Sequence, residues 1–111
     1  MLILTKEKIQ TALGVFKEKL NRHFSQKFDL YVFGSAARGD FQPESDIDVL
    51  LIIDQPVDIP LKEQVFHLAF EAELECDVIF GVLVYSKQEW DSALYRAMPI
   101  HWSVDKEGIK V

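Results

Sequence analysis

A single cysteine, Cys76, stands in 111 residues. That excludes an intramolecular disulfide and any zinc site built from several cysteines, and it points to a reducing compartment, the cytoplasm. Glycine (five) and proline (four) are sparse, and no Gly/Ser linker, internal repeat or low-complexity tract interrupts the chain, so residues 1–111 read as one domain. No apolar run approaches the ~20 residues that span a bilayer. The opening MLILTKEKIQ lacks the basic and long apolar segments of a secretion signal. Membrane insertion and export are therefore not expected. Lys and Arg number 12 against 18 Asp and Glu, a net charge of −6, which argues against a broad face that grips nucleic acid by neutralising phosphates.

What the chain does have is core material. Hydrophobic residues make up 49%, with eight Phe, three Tyr and two Trp, and the mean hydropathy of +0.03 excludes a disordered polymer. The acidic residues are also unevenly placed. Eleven lie between Asp40 and Val84, where Lys62 is the one basic residue, so that stretch carries −10 and the remainder +4. A solvated acidic surface gives such a count, and so does a cation site.

Periodicity places the elements. Ile9, Leu13, Phe16, Leu20 and Phe24 recur at helical spacing from Thr5 to Phe24. Phe28 to Phe33 (FDLYVF) reads as a strand ending at Gly34, with a second helix opening near Ser35. Ile47 to Ile53 (IDVLLII) is a nearly unbroken apolar run, as expected of a central strand covered on both faces. Leu61, Val65, Leu68, Ala69 and Ala72 mark a helix to about Glu75, and Asp77 to Val84 (DVIFGVLV) a third strand. Ser86 and Glu89 form a capping box before Trp90, Ala93, Leu94 and Ala97, a helix that Pro99 is expected to close. Ile109 to Val111 is a candidate short strand.

Chemistry concentrates between Gly34 and Asp48. A glycine after a strand lets the backbone turn sharply and approach a ligand, and a helix start at Ser35 offers free N–H groups to an anion. Together these suit a phosphate. Asp46 and Asp48 point to the same side of their strand, about 6–7 Å apart along it. Two like charges at the edge of an apolar strand call for a compensating cation. Oxygen ligands without a His or Cys cluster favour Mg²⁺ or Mn²⁺ over Zn²⁺. For a third carboxylate Asp77 is well placed and Glu75 is its rival; Glu73, Glu75 and Asp77 share strand parity, so spacing does not choose among them. Gly-Ser alone is ordinarily a turn, and Asp-x-Asp alone is ordinarily solvated; their joint spacing carries the signal. His23, His67 and His101 are scattered, and Cys76 reads as a small buried residue.

The segment GSAARGDFQPESDIDVLLI, Gly34 to Ile52, resembles the signature of the DNA polymerase β-like nucleotidyltransferases, Gly-Ser, ten residues, Asp-x-Asp. It is most similar to the minimal nucleotidyltransferases, whose G-S-x-A-R-G and S-D-x-D are matched by Gly34, Ser35, Ala37, Arg38, Gly39, Ser45, Asp46 and Asp48. The resemblance implies an α+β fold, a small mixed sheet flanked by helices. It implies transfer of a nucleoside monophosphate, AMP from ATP by family default, to a hydroxyl with two Mg²⁺ or Mn²⁺ ions. Asp46 and Asp48 would hold both ions and Asp77 the catalytic one, making these three the catalytic and metal-binding set. Gly34, Ser35, Arg38 and Ser45 would face the nucleotide phosphates, Arg38 either neutralising phosphate or bracing the acidic loop. Larger relatives carry a further helical domain, so a partner is expected. The favoured acceptor is a tyrosine of a small helical HEPN-type ribonuclease toxin, which makes the chain an antitoxin. Pairing with a second copy is the other way to complete the site. Two alternatives remain: a module that neutralises a helical partner by contact alone, and an adenylyltransferase of small molecules of the antibiotic-inactivating type.

Overall fold

The helical spacing at the start of the chain is realised as a helix, α1 (Lys6–His23), which buries Ile9, Ala12, Leu13, Phe16 and Leu20. This is seen in a computed structural model that describes residues 3–111. The Thr5 side chain caps α1, accepting from the Lys8 N–H at 3.1 Å and satisfying one of the first-turn donors. After α1 come β1 (Phe28–Phe33), a five-residue α2 (Gly34–Arg38), β2 (Ile47–Ile53), α3 (Ile59–Cys76), β3 (Phe80–Ser86), α4 (Lys87–Trp90), α5 (Ala93–Arg96), α6 (Pro99–Glu107) and β4 (Ile109–Lys110).

The sheet is mixed, in the order β3-β2-β1-β4. β1 is antiparallel to β2 and to β4, and β2 is parallel to β3. β2 is central because six of its seven residues are buried, Asp48 alone being partly open. One face, with Leu30, Val32, Val49, Leu51, Ile53 and Phe80, packs on α1 and α3, where the Phe16 and Phe80 rings meet at 5.2 Å. On the other, Leu50 and Ile52 are covered by Trp90 and Val104, from α4 and α6. Burying both faces accounts for the absence of alternation in IDVLLII. This is the mixed sheet flanked by helices expected from the sequence. Among the described residues no helix is long and apolar enough to cross a membrane.

Two expectations need correction. The third strand begins at Phe80, not Asp77, because α3 runs on to Cys76 and ends with Asp77 in the left-handed conformation (φ 59°, ψ 51°). The Asp77 N–H donates to the Glu73 carbonyl at 2.9 Å, so Asp77 is a helix cap and not a strand residue. Pro99, in turn, opens a helix. Ser92 interrupts the preceding segment by capping α5 through the Tyr95 N–H. Met98 is extended (φ −78°, ψ 142°), as the residue before proline prefers, and Pro99 occupies the first turn of α6, where its missing N–H costs nothing. The tail is therefore mostly helical, with β4 at Ile109–Lys110.

Candidate active site

Asp48 is set by its neighbours on both sides. In the sheet register it lies opposite Phe33 on β1 and Gly81 on β3, and Gly34 comes directly after Phe33. A Cβ on Gly34 would stand 2.6 Å from Asp48 Oδ2, and one on Gly81 would stand 2.9 Å from Asp48 Oδ1. The carboxylate thus fills the space that two glycines leave. Gly34 has a second reason to be glycine, a φ of +68°, which lets β1 turn at once into α2. Phe33, the residue before α2, caps no N–H with its side chain, so the donors of the first turn remain open beside the carboxylate.

Asp46, just before β2, is exposed, and Asp48, the second residue of β2, is half-buried. No ion pair among the described residues engages either one. Burial, and then the charge of Asp46, push the Asp48 carboxyl above the ordinary aspartate range, while Arg38 pulls the other way. Proximity between the two acids is thereby felt electrostatically. A pair of unneutralised carboxylates close enough to feel one another is a hard-oxygen donor set. It fits Mg²⁺ or Mn²⁺ when substrate oxygens and water complete the shell.

The remaining residues singled out by sequence fall in different places. Arg38, at the end of α2, donates from Nε to Asp40 at 3.2 Å and from Nη1 to Glu107 of α6 at 2.8 Å. Those bonds keep its charge beside the acidic loop. The Ser45 hydroxyl accepts from the Gln42 N–H at 2.8 Å, and the Ser45 N–H donates back to the Gln42 carbonyl at 3.1 Å. Ser45 therefore closes the turn around Pro43 that delivers Asp46. Asp77 is paired with Lys8 of α1 at 3.3 Å, Glu75 with Lys19 at 2.7 Å, and Glu73 accepts from the Phe80 N–H at 2.7 Å. Among the described residues no three of His, Cys, Asp and Glu gather as a metal site. The structure sets Gly34 against Asp48, with Asp46 near enough for its charge to act there, while Asp77 is paired with Lys8 and lines a small cleft with Glu44 and Ser45.

Gly81 is the site residue that sequence reading passed over. A glycine inside the apolar run DVIFGVLV is itself a signal of close approach by another group, and here the group is Asp48. His101 is buried, stacked on Trp90 at 4.2 Å with Nδ1 at 3.0 Å from Asp105, so its role is in the α4–α6 layer.

A model of the nucleotidyltransferase domain matches residues 13–100. A candidate protein adenylyltransferase of Methanocaldococcus jannaschii is 32% identical over 73 residues, covering 65% of this chain and 74% of that protein. The protein adenylyltransferase MntA of Thermococcus cleftensis is 34% identical over 55 residues, 50% of this chain and 54% of that one. Among solved structures, a toxin–antitoxin complex with AMP-PNP superposes with a TM-score of 0.62 at 19% identity, covering 96% of this chain and 72% of the other. A nucleotidyltransferase-like protein of Sulfolobus solfataricus superposes with a TM-score of 0.54 at 20% identity, over 96% and 87%. The matched span contains the whole Gly34-to-Asp48 turn, and the chain belongs to the nucleotidyltransferase domain family, as an enzyme of that class.

Proposed function

We propose that the chain transfers AMP from ATP to a hydroxyl of a protein partner, a tyrosine of a HEPN-type toxin, and so acts as the antitoxin of a pair. The observation that carries this reading is the Asp48 carboxylate seated between Gly34 and Gly81, with the charge of an unpaired Asp46 acting on it. Support for the substrate class comes from the relatives named as protein adenylyltransferases, and support for the partner from the toxin–antitoxin complexes that share the fold.

In this reading Asp46 and Asp48 hold Mg²⁺ or Mn²⁺, two ions in the full site. Bound there, the ions supply neutralising charge for the triphosphate and for the departing pyrophosphate. The open N–H groups after Gly34 and the Ser35 hydroxyl take the β- and γ-phosphates, which leaves the α-phosphorus facing the acceptor. The acceptor hydroxyl gives its proton to solvent, a bond forms from its oxygen to that phosphorus, and the bond to pyrophosphate breaks. Arg38, engaged by Asp40 and Glu107, braces the loop and tempers the negative potential at Asp48. Ser45 acts on the nucleotide indirectly, by shaping the turn before Asp46. Asp77 is already paired with Lys8, so in this reading Asp46 and Asp48 carry the site.

The test is intact-mass measurement of the helical partner after incubation with the chain, Mg²⁺ and each nucleoside triphosphate in turn. One added adenylyl group, lost in Asp46→Asn plus Asp48→Asn, is the expected result. A stable complex with no mass gain from any nucleotide, unchanged by the double substitution, overturns transfer and leaves neutralisation by contact.

A further inference from the structure

Helix α3 carries two apolar faces, and only one is used. Leu61, Val65, Leu68, Ala69 and Ala72 are buried. On the opposite side Ile59, Phe66, Phe70 and Leu74 are 72%, 46%, 55% and 70% exposed. At about 100° per residue these four fall within about 80° of one another, a continuous stripe along the whole helix. Contiguous exposed apolar side chains mark interaction sites more often than isolated ones do.

Glu63 decides what covers it. By the same helical arithmetic it lies within the stripe, between Ile59 and Phe66, and it has no ion-pair partner among the described residues. Its acidic neighbours on the helix are already engaged, Glu71 and Glu75 by Lys19 and Glu73 by the Phe80 N–H. If a second copy packed here antiparallel about the middle of the stripe, Ile59 would meet Leu74 and Glu63 would be buried against Phe70, while the flanking basic side chains go to Glu71, Lys62 by standing opposite it and His67 by pairing with it in its own helix at 3.0 Å. Parallel packing would set Glu63 against Glu63. Burying an unpaired carboxylate is strongly unfavourable, and the net charge of −6 per chain adds repulsion. A helix from another chain with lysine or arginine at that point removes both objections.

We propose that the outer face of α3 docks an amphipathic, basic helix of a partner protein, its apolar residues on Phe66 and Phe70 and its cation on Glu63. This goes beyond the transfer reaction, because none of these side chains belongs to the Gly34-to-Asp48 site.

Binding of synthetic helices to the full chain tests it by fluorescence anisotropy. The probes are a leucine–lysine amphipathic helix of the length of α3 and its leucine–glutamate analogue. The basic helix should bind and the acidic one should not. Phe70→Ser should weaken the basic helix about tenfold or more, a loss comparable to removing one buried anchor. Glu63→Lys should weaken it similarly and admit the acidic analogue, a reversal that general misfolding does not produce. Equal binding of both probes, or no change in either variant, overturns the proposal. So does sedimentation showing a dimer of the wild-type chain that Phe70→Ser dissociates, since the face then belongs to a second copy. Failure of transfer chemistry moves none of these readouts.

Discussion

At the scale of single residues the decisive fact is that Asp48 occupies volume denied to two side chains. Its position on β2 is legible from the Asp-x-Asp spacing, but its surroundings are not, because they come from residues 14 and 33 positions away that only pairing brings near. Its raised pKa has a consequence for stability. An acid whose pKa is higher in the folded state binds its proton more tightly there, so Asp48 costs least below the ordinary aspartate pKa of about 3.9. Stability is then lost as pH climbs from that value through the raised one. Asp48→Asn removes the penalty. In metal-free buffer the variant should melt above wild type at neutral pH, with the gap narrowing toward pH 4, while nucleotidyl transfer disappears. Scanning calorimetry across pH reads the first effect and labelled-ATP transfer the second. A variant melting below wild type at neutral pH would mean that Asp48 makes a stabilising contact which burial alone does not describe.

At the scale of elements, β1 and β2 are legible in the sequence because each is a short apolar run with a sharp boundary, Gly34 after β1 and Asp46 before β2. The start of β3 is not, for a physical reason. Asp77, Val78 and Ile79 continue the strand-like pattern, yet the helical bonds from Asp77 and Val78 back to the Glu73 carbonyl hold the chain in a cap that no periodicity reports. Pro99 is ambiguous for a related reason: proline both ends helices and begins them, and the distinction lies in whether the residues after it turn back onto the core. The β2–β3 register places Gly81 beside Asp48, and it makes Gly81→Ala informative. Alanine gains about 0.5–1 kcal/mol from a less flexible unfolded chain. Its Cβ, 2.9 Å from Asp48 Oδ1, forces adjustment costing about 1–3 kcal/mol. The net, read by urea denaturation, is a loss between about 0 and about 2.5 kcal/mol. If Asp48 holds the metal as proposed, activity should fall further, about tenfold or more in kcat, since an ångström of misplacement costs about a hundredfold and the contact forces a fraction of that. Equal activity in Gly81→Ala would show that Asp48 has room to move without consequence.

At the scale of the whole molecule, charge sets the terms on which a nucleotide enters. The two aspartates of the site belong to the stretch from Asp40 to Val84 that carries −10, and Arg38 is the one cation identified beside Asp48. A triphosphate approaching alone meets a field of its own sign. Association should therefore depend on the divalent ion more steeply than on the nucleotide. With excess EDTA, a non-hydrolysable ATP analogue should leave Tm unchanged. With Mg²⁺ and ligand at about 100 times its Kd, linkage adds about 2.7 kcal/mol. For a domain of this length that corresponds to a rise on the order of 10 °C. Asp46→Asn should abolish the rise while barely changing the melting of the free chain, because Asp46 is exposed. Raising ionic strength in EDTA separates long-range repulsion from a missing ligand. If salt alone restores binding, the field of the acidic stretch is the obstacle; if only Mg²⁺ does, the two carboxylates require an ion between them and the phosphates. The second outcome is expected, since screening at high salt weakens distant charges but leaves two adjacent ones, one of them half-buried, largely unscreened.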